Sequence, residues 1–133
     1  MEPTTLFPII SILLLIGVEW GGWALLGFLT EQEPPSGFKL RFFRTGHSHA
    51  GELIVLSLVY YLYLPRADYS HAVEWIVGVV LTAGALLLSG GFFLHVFVGR
   101  EREASLGTTL TRVGTALIAA ALIVLAVGLI KTA

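Results

Sequence analysis

Four long runs of apolar residues, separated by three short polar connections, make up almost the whole chain. The first covers about 5–29 and is broken by one charge, Glu19. The second covers about 44–64 and carries His47, His49 and Glu52 in its first third. The third covers about 71–98 and the fourth about 108–130. A bilayer core about 30 Å thick requires roughly 20 apolar residues in a helix, and each run meets that length. The runs are continuous rather than alternating, which disfavours a transmembrane β-barrel. The connections hold turn chemistry: Pro34-Pro35-Ser36-Gly37, then Pro65 to Ser70, then Gly99 to Gly107. The pattern predicts one all-α domain over residues 1–133, an integral membrane four-helix antiparallel bundle. The leader Met1-Glu2-Pro3-Thr4-Thr5 has no basic residue and the following run is long, so a retained span is expected rather than a cleaved signal.

Composition agrees with lipid as the main solvent. Of the 133 residues 56% are hydrophobic and 13% charged, with a mean hydropathy of +0.85. A soluble domain is about a quarter charged, and a water-soluble monomer of this size could not hide so much apolar surface. A net charge of −1 leaves no basic footprint for nucleic acid. The absence of cysteine removes disulfides, thiolate ligands and cysteine nucleophiles together. Lys39, Arg41, Arg44, Arg100 and Arg102 flank the first and third connections, against Arg66 and Lys131 on the other side. The positive-inside rule therefore predicts these two loops in the cytoplasm and both termini outside a plasma (inner) membrane.

Ionisable groups within a span cost roughly 2.5–3.5 kcal/mol on insertion scales, so each asks for a reason. His47 and His49 open the second run and Glu52 lies one turn deeper; His95 lies near the end of the third run. Antiparallel threading predicts these four on the cytoplasmic side, with Glu19 beneath them. At about 100° per residue, His49 and Glu52 share a face, whereas His47 falls with Arg44, Gly51 and Ile54. An ideal helix does not aim both histidines at one metal, although Gly46 allows a later helix start. On the third run His95 shares a stripe with Gly91, Leu88 and Gly84, and Ser89-Gly90-Gly91 admits another backbone or a flat ligand. On the first run Gly21-Gly22 thins the helix beside Glu19.

Imidazoles with carboxylates suit transition metals, and two helices can offer axial histidines to a haem. The metal candidates are thus His47, His49, His95, Glu19 and Glu52, with Arg44 beside them as a cofactor-binding residue and Glu19 and Glu52 as acid–base groups. Each group also has a plainer reading. His95 alone suits an amphipathic position, Glu19 a neutral acid bonded to a neighbouring helix, and Arg44 a side chain snorkelling to the headgroups. His71 and Glu74 suit an interfacial helix end after a cap at Ser70. Trp20, Trp23, Trp75, Tyr60, Tyr61 and Tyr63 suit packing or an aromatic belt. The fourth run has Gly114, Ala116, Ala119, Ala120 and Ala126, which suit close helix packing within the bundle or between protomers.

Two motifs carry a resemblance. Glu19-Trp20-Gly21-Gly22 and Phe42-Phe43-Arg44-Thr45-Gly46-His47-Ser48-His49-Ala50-Gly51 together resemble an uncharacterised family of small four-span bacterial membrane proteins with an F-R-x-G-H-x-H-A-G motif. That resemblance implies that Glu19 and the histidine pair belong to one site; it supplies no reaction. The order and spacing of Arg44, His47 and Glu52 are also similar to the membrane-associated eicosanoid and glutathione metabolism family of trimeric four-helix enzymes. The chain departs from that pattern at His49, where Asn is expected, and at Ala50, where Asp often follows.

The leading expectation is a His/Glu cluster that binds a transition metal (Zn, Fe or Cu) or haem b, for redox or accessory work in a larger assembly. Proton-coupled transport or a proton relay in a homo-oligomer, a structural subunit of a membrane complex, and a trimeric glutathione-dependent membrane enzyme are the alternatives.

Overall fold

A computed structural model describes residues 1–30 and 35–133. Its elements are α1 (Pro3–Thr30), α2 (Gly37–Tyr63), a 3-10 turn (Leu64–Ala67), α3 (His71–Val98) and α4 (Leu106–Thr132). Pro34, one of the expected turn residues, lies outside the described part. The fold is an all-α bundle, and α1, α3 and α4 are each long and apolar enough to cross a membrane. With 27 residues α2 has the length, but its histidines, Glu52 and basic start leave it less apolar than its neighbours.

Capping explains where the helices begin. The Ser36 side chain accepts from the Lys39 amide, so α2 starts at Gly37, seven residues before the apolar run. At α4 the Ser105 and Thr108 side chains cap each other's amides in a reciprocal box. Ser70 holds the cap position of α3, but its side chain makes no capping hydrogen bond.

Contacts at the two ends fix the antiparallel arrangement. Arg41 on α2 pairs with Glu101 in the third loop at 2.8 Å. At the opposite end Glu2 pairs with His71 at 3.0 Å, and the Thr132 hydroxyl donates to the Arg66 carbonyl at 2.9 Å. Both chain ends therefore share one end with the second loop.

The closest packing joins α3 to α4, and glycine makes it possible. A Cβ on Gly84 would lie 2.9 Å from Ile118 Cγ1 and 3.1 Å from the Gly114 carbonyl. On Gly91 it would strike Thr111 and the Gly107 backbone. Backbones that approach this closely gain dispersion contacts that lipid tails do not replace. The stripe of Gly84, Leu88, Gly91 and His95 thus meets another backbone, one of the two possibilities its spacing raised.

Tyrosines tie the remaining helices together. The Tyr60 hydroxyl donates to the Ala121 carbonyl at 3.1 Å, and the Tyr61 hydroxyl bonds Gly78 O at 3.1 Å and Thr82 Oγ1 at 2.8 Å. Both rings are buried rather than placed in an interfacial belt, whereas Tyr63 is exposed beneath the Arg66 guanidinium. Phe7 anchors α1: it stacks on Tyr61, meets Trp75 edge-on, and fills the space that Gly78 leaves. Beyond that anchor α1 is lightly covered. Only 6% of its apolar window is buried, against 39% for α3.

Candidate functional site

The structure separates the groups that the sequence suggested as one cluster. His95 is 2% exposed, and its Nδ1 shares a 2.6 Å hydrogen bond with Ser105 Oγ, the cap of α4. Phe42 and Phe38 cover the ring at centroid distances of 4.4 and 5.4 Å, and Gly99 leaves the space it needs. The ring is walled in by aromatic and backbone atoms. His95 is a packed, hydrogen-bonded residue that locks the end of α3 to the start of α4.

His49 turns toward α3, with its ring 5.2 Å from that of Phe92. Its Nδ1 is buried and has no hydrogen-bond partner among the described residues. His47 turns the other way, toward α1. A Cβ on Gly21 would sit 3.3 Å from His47 Nδ1, and one on Gly22 3.4 Å from Nε2. The two glycines beside Glu19 therefore make room for the imidazole, which places both resemblance motifs against each other.

Glu19, Glu52 and Arg44 are exposed on the outer surface of the bundle rather than gathered beneath the histidines. The expected metal set of His47, His49, His95, Glu19 and Glu52 is thus not brought together within one copy. Among the described residues, no group of three or more His, Asp or Glu is placed to hold a metal ion. The physical reason is rotation along α2: His47 and His49 lie about 200° apart, one toward α1 and the other toward α3, while Glu52, about 60° round from His49, lies at the exposed edge of that face.

What the geometry does assemble is a cleft between α1, α2 and α3. It encloses about 280 Å³ and is lined by Ser11, Leu14, Gly17 and Val18 from α1, His47, Ala50, Ile54 and Ser57 from α2, and Thr82, Ala85, Leu86, Ser89, Gly90 and Phe93 from α3. Gly17, Leu86 and Gly90 are exposed, so the cleft reaches the outer, apolar flank of the bundle. A Cβ on Gly17 or Gly90 would meet no other atom within 4 Å, so neither glycine is packed against a neighbouring helix.

Most of the cleft's polar groups are already committed. Ser11 donates to the Phe7 carbonyl at 2.9 Å, Ser57 to the Leu53 carbonyl at 2.7 Å, and Thr82 bonds Tyr61. Two groups remain free among the described residues. Ser89 is 6% exposed and its Oγ has no partner. The His47 ring, half-buried, makes no hydrogen bond there either. A buried hydroxyl without a partner costs about 1–3 kcal/mol, so such a group in a native protein asks for something to bond.

Sequence reasoning singled out His47 and marked Ser89-Gly90-Gly91 as a segment that admits another backbone or a flat ligand, but it gave Ser89 no polar role and missed most of the other lining residues. The signal available was the spacing Thr82, Ala85, Leu86, Ser89, Gly90, Phe93, a helical stripe that mixes small and hydroxyl residues with two large ones. No family model matches the chain, and no curated protein or solved structure matches it.

Proposed function

We propose that this chain is a membrane-embedded binding protein whose cleft takes up a small amphiphile from the bilayer. The observation that carries the reading is the buried hydroxyl of Ser89, which has no partner among the described residues, beside the half-buried His47 ring in a mostly apolar cleft that opens on the flank of the bundle. The volume lies near the lower end of ligand pockets, about 300–1,000 Å³, and a mostly apolar wall with a few convergent polar groups is their usual character. The suited ligand has a short apolar body and one carbonyl or hydroxyl group. His47 and Ser89 each donate or accept a hydrogen bond to it, which in a water-poor site discriminates strongly against a pure hydrocarbon. Gly21 and Gly22 border the nitrogen-bearing edge of the imidazole and leave it open.

The same reading places the protein in a plasma (inner) membrane. The basic ends of α2 and α3 face the cytoplasm, with both termini outside. It differs from the metal or haem expectation because His95 is committed to Ser105 and His49 turns toward Phe92.

Equilibrium binding of radiolabelled 2-undecanone to the protein in nanodiscs tests it. Saturable binding of one ligand per chain, lost in His47→Leu and Ser89→Ala together and absent for undecane, is expected. Non-saturating uptake that is equal for the ketone and the alkane overturns it.

A further inference from the structure

Charged residues well inside the helical spans face outward with no ion-pair partner among the described residues. Glu19 on α1, Glu52 on α2 and Arg112 on α4 are all exposed. The ion pairs among the described residues, Arg41–Glu101 and His71–Glu2, include none of them. Intramembrane charges almost always face protein or water, because lipid offers them no hydrogen bonds.

The packing register puts Glu19 and Arg112 at one height. Gly21 lies beside His47 and Gly51 beside Val18, which sets Glu19 level with the middle of that stretch of α2. Gly46 lies beside Phe92 and Phe93, and Gly91 beside Thr111. Followed across the bundle, these contacts bring Glu19 and Arg112 to within about one helical turn, ~5.4 Å, along the axis. Laterally they are far apart: α1 packs on α2 and α3, whereas α4 packs chiefly on α3 and the 3-10 turn.

The two faces also match in shape. Around Glu19, α1 exposes large side chains, with Trp20 and Trp23 each 70% exposed. On α4, Arg112 is followed by exposed Ala116, Ala119 and Ala120, a stretch of small residues between the larger exposed Val113 and Ile123. Large residues against small ones let helices approach in lipid, and a guanidinium both pairs with a carboxylate and stacks on indole.

We propose that a second copy of this chain covers these faces, α4 of one copy docking on α1 of the next so that Arg112 pairs with Glu19. The contact is heterologous: each copy offers one acidic and one basic face, and repetition generates a ring or a chain of copies.

The cysteine-free sequence allows a direct test. Chains carrying Glu19→Cys and chains carrying Arg112→Cys are co-expressed and oxidised in their native membranes. A cross-linked dimer is expected from the mixture, none from either variant alone, and a ladder of higher species from the double variant. Cross-linking of Glu19→Cys with itself, or no cross-link in the mixture, overturns the proposal; the latter is what an Arg112 that merely reaches to the headgroups would give. A charge exchange supplies a second readout. Glu19→Arg is expected to shift the detergent-purified protein from oligomer to monomer, and adding Arg112→Glu to restore the oligomer. A double variant that stays monomeric while remaining folded also overturns it.

Discussion

Nδ1 of His95 stands 2.6 Å from Oγ of Ser105, so the last turn of α3 is tied directly to the residue that caps α4. The serine serves two purposes at once, since its Oγ also accepts from the Thr108 amide. Ser105→Ala removes the cap and leaves a buried imidazole nitrogen unpaired. Together these cost about 1–3 kcal/mol. Thermal unfolding in detergent checks this: Ser105→Ala is expected to lower the midpoint, and Ser105→Thr, which keeps the oxygen, to lower it less.

Two adjacent glycines are expected to respond with opposite signs. A Cβ at Gly91 runs into Thr111 and the Gly107 backbone, whereas one at Gly90 meets open space in the cleft. Gly91→Ala is therefore expected to destabilise the protein by about 1–3 kcal/mol through overpacking. Gly90→Ala is expected to stabilise it by roughly 0.5–1 kcal/mol, as alanine loses less backbone freedom in a helix. Side-by-side unfolding curves decide between opposite shifts and a common one.

The glycine pair on α1 is expected to matter more for binding than for stability. Gly21 and Gly22 face the His47 ring at contact distance, so Gly21→Leu must displace the imidazole. Weakened binding of 2-undecanone with little loss of stability is expected, because only 6% of the apolar window of α1 is buried. A large drop in the unfolding midpoint would instead make the contact a structural one.

Orientation is open to the same cysteine-free chemistry. Asp68 lies in the second loop and Glu101 in the third, at opposite ends of the bundle. Asp68→Cys is expected to react with an impermeant maleimide on intact cells, and Glu101→Cys only after the membrane is opened. The reverse pattern would invert the topology.

The fold was largely legible because apolar runs of bilayer length carry it. The third run coincides with α3, and the fourth differs from α4 by two residues at each end. The start of α2 was hidden because Lys39 and Arg41 interrupt hydropathy without interrupting the helix, whose beginning Ser36 decides by capping. The site was less legible. Chemical type drew attention to His95 and the glutamates, yet whether a polar residue faces a neighbour, a void or lipid depends on the rotation of its helix. His95 found Ser105, a residue ten positions away with no special sequence signal. Ser89 stood out in the sequence only as part of a small-residue segment, and its hydroxyl matters because nothing among the described residues bonds it.

The most direct test of the cleft is to find where a ligand lands. A medium-chain ketone carrying a diazirine, photolysed with the protein in nanodiscs and mapped by peptide mass spectrometry, reports its position residue by residue. The account predicts labels concentrated on the cleft faces of α1, α2 and α3, around Gly17, Ala50 and Ser89, competed by 2-undecanone and lost in Gly90→Leu, which fills the void. Labels spread evenly over the lipid-facing side chains of all four helices, unchanged by Gly90→Leu, would contradict it.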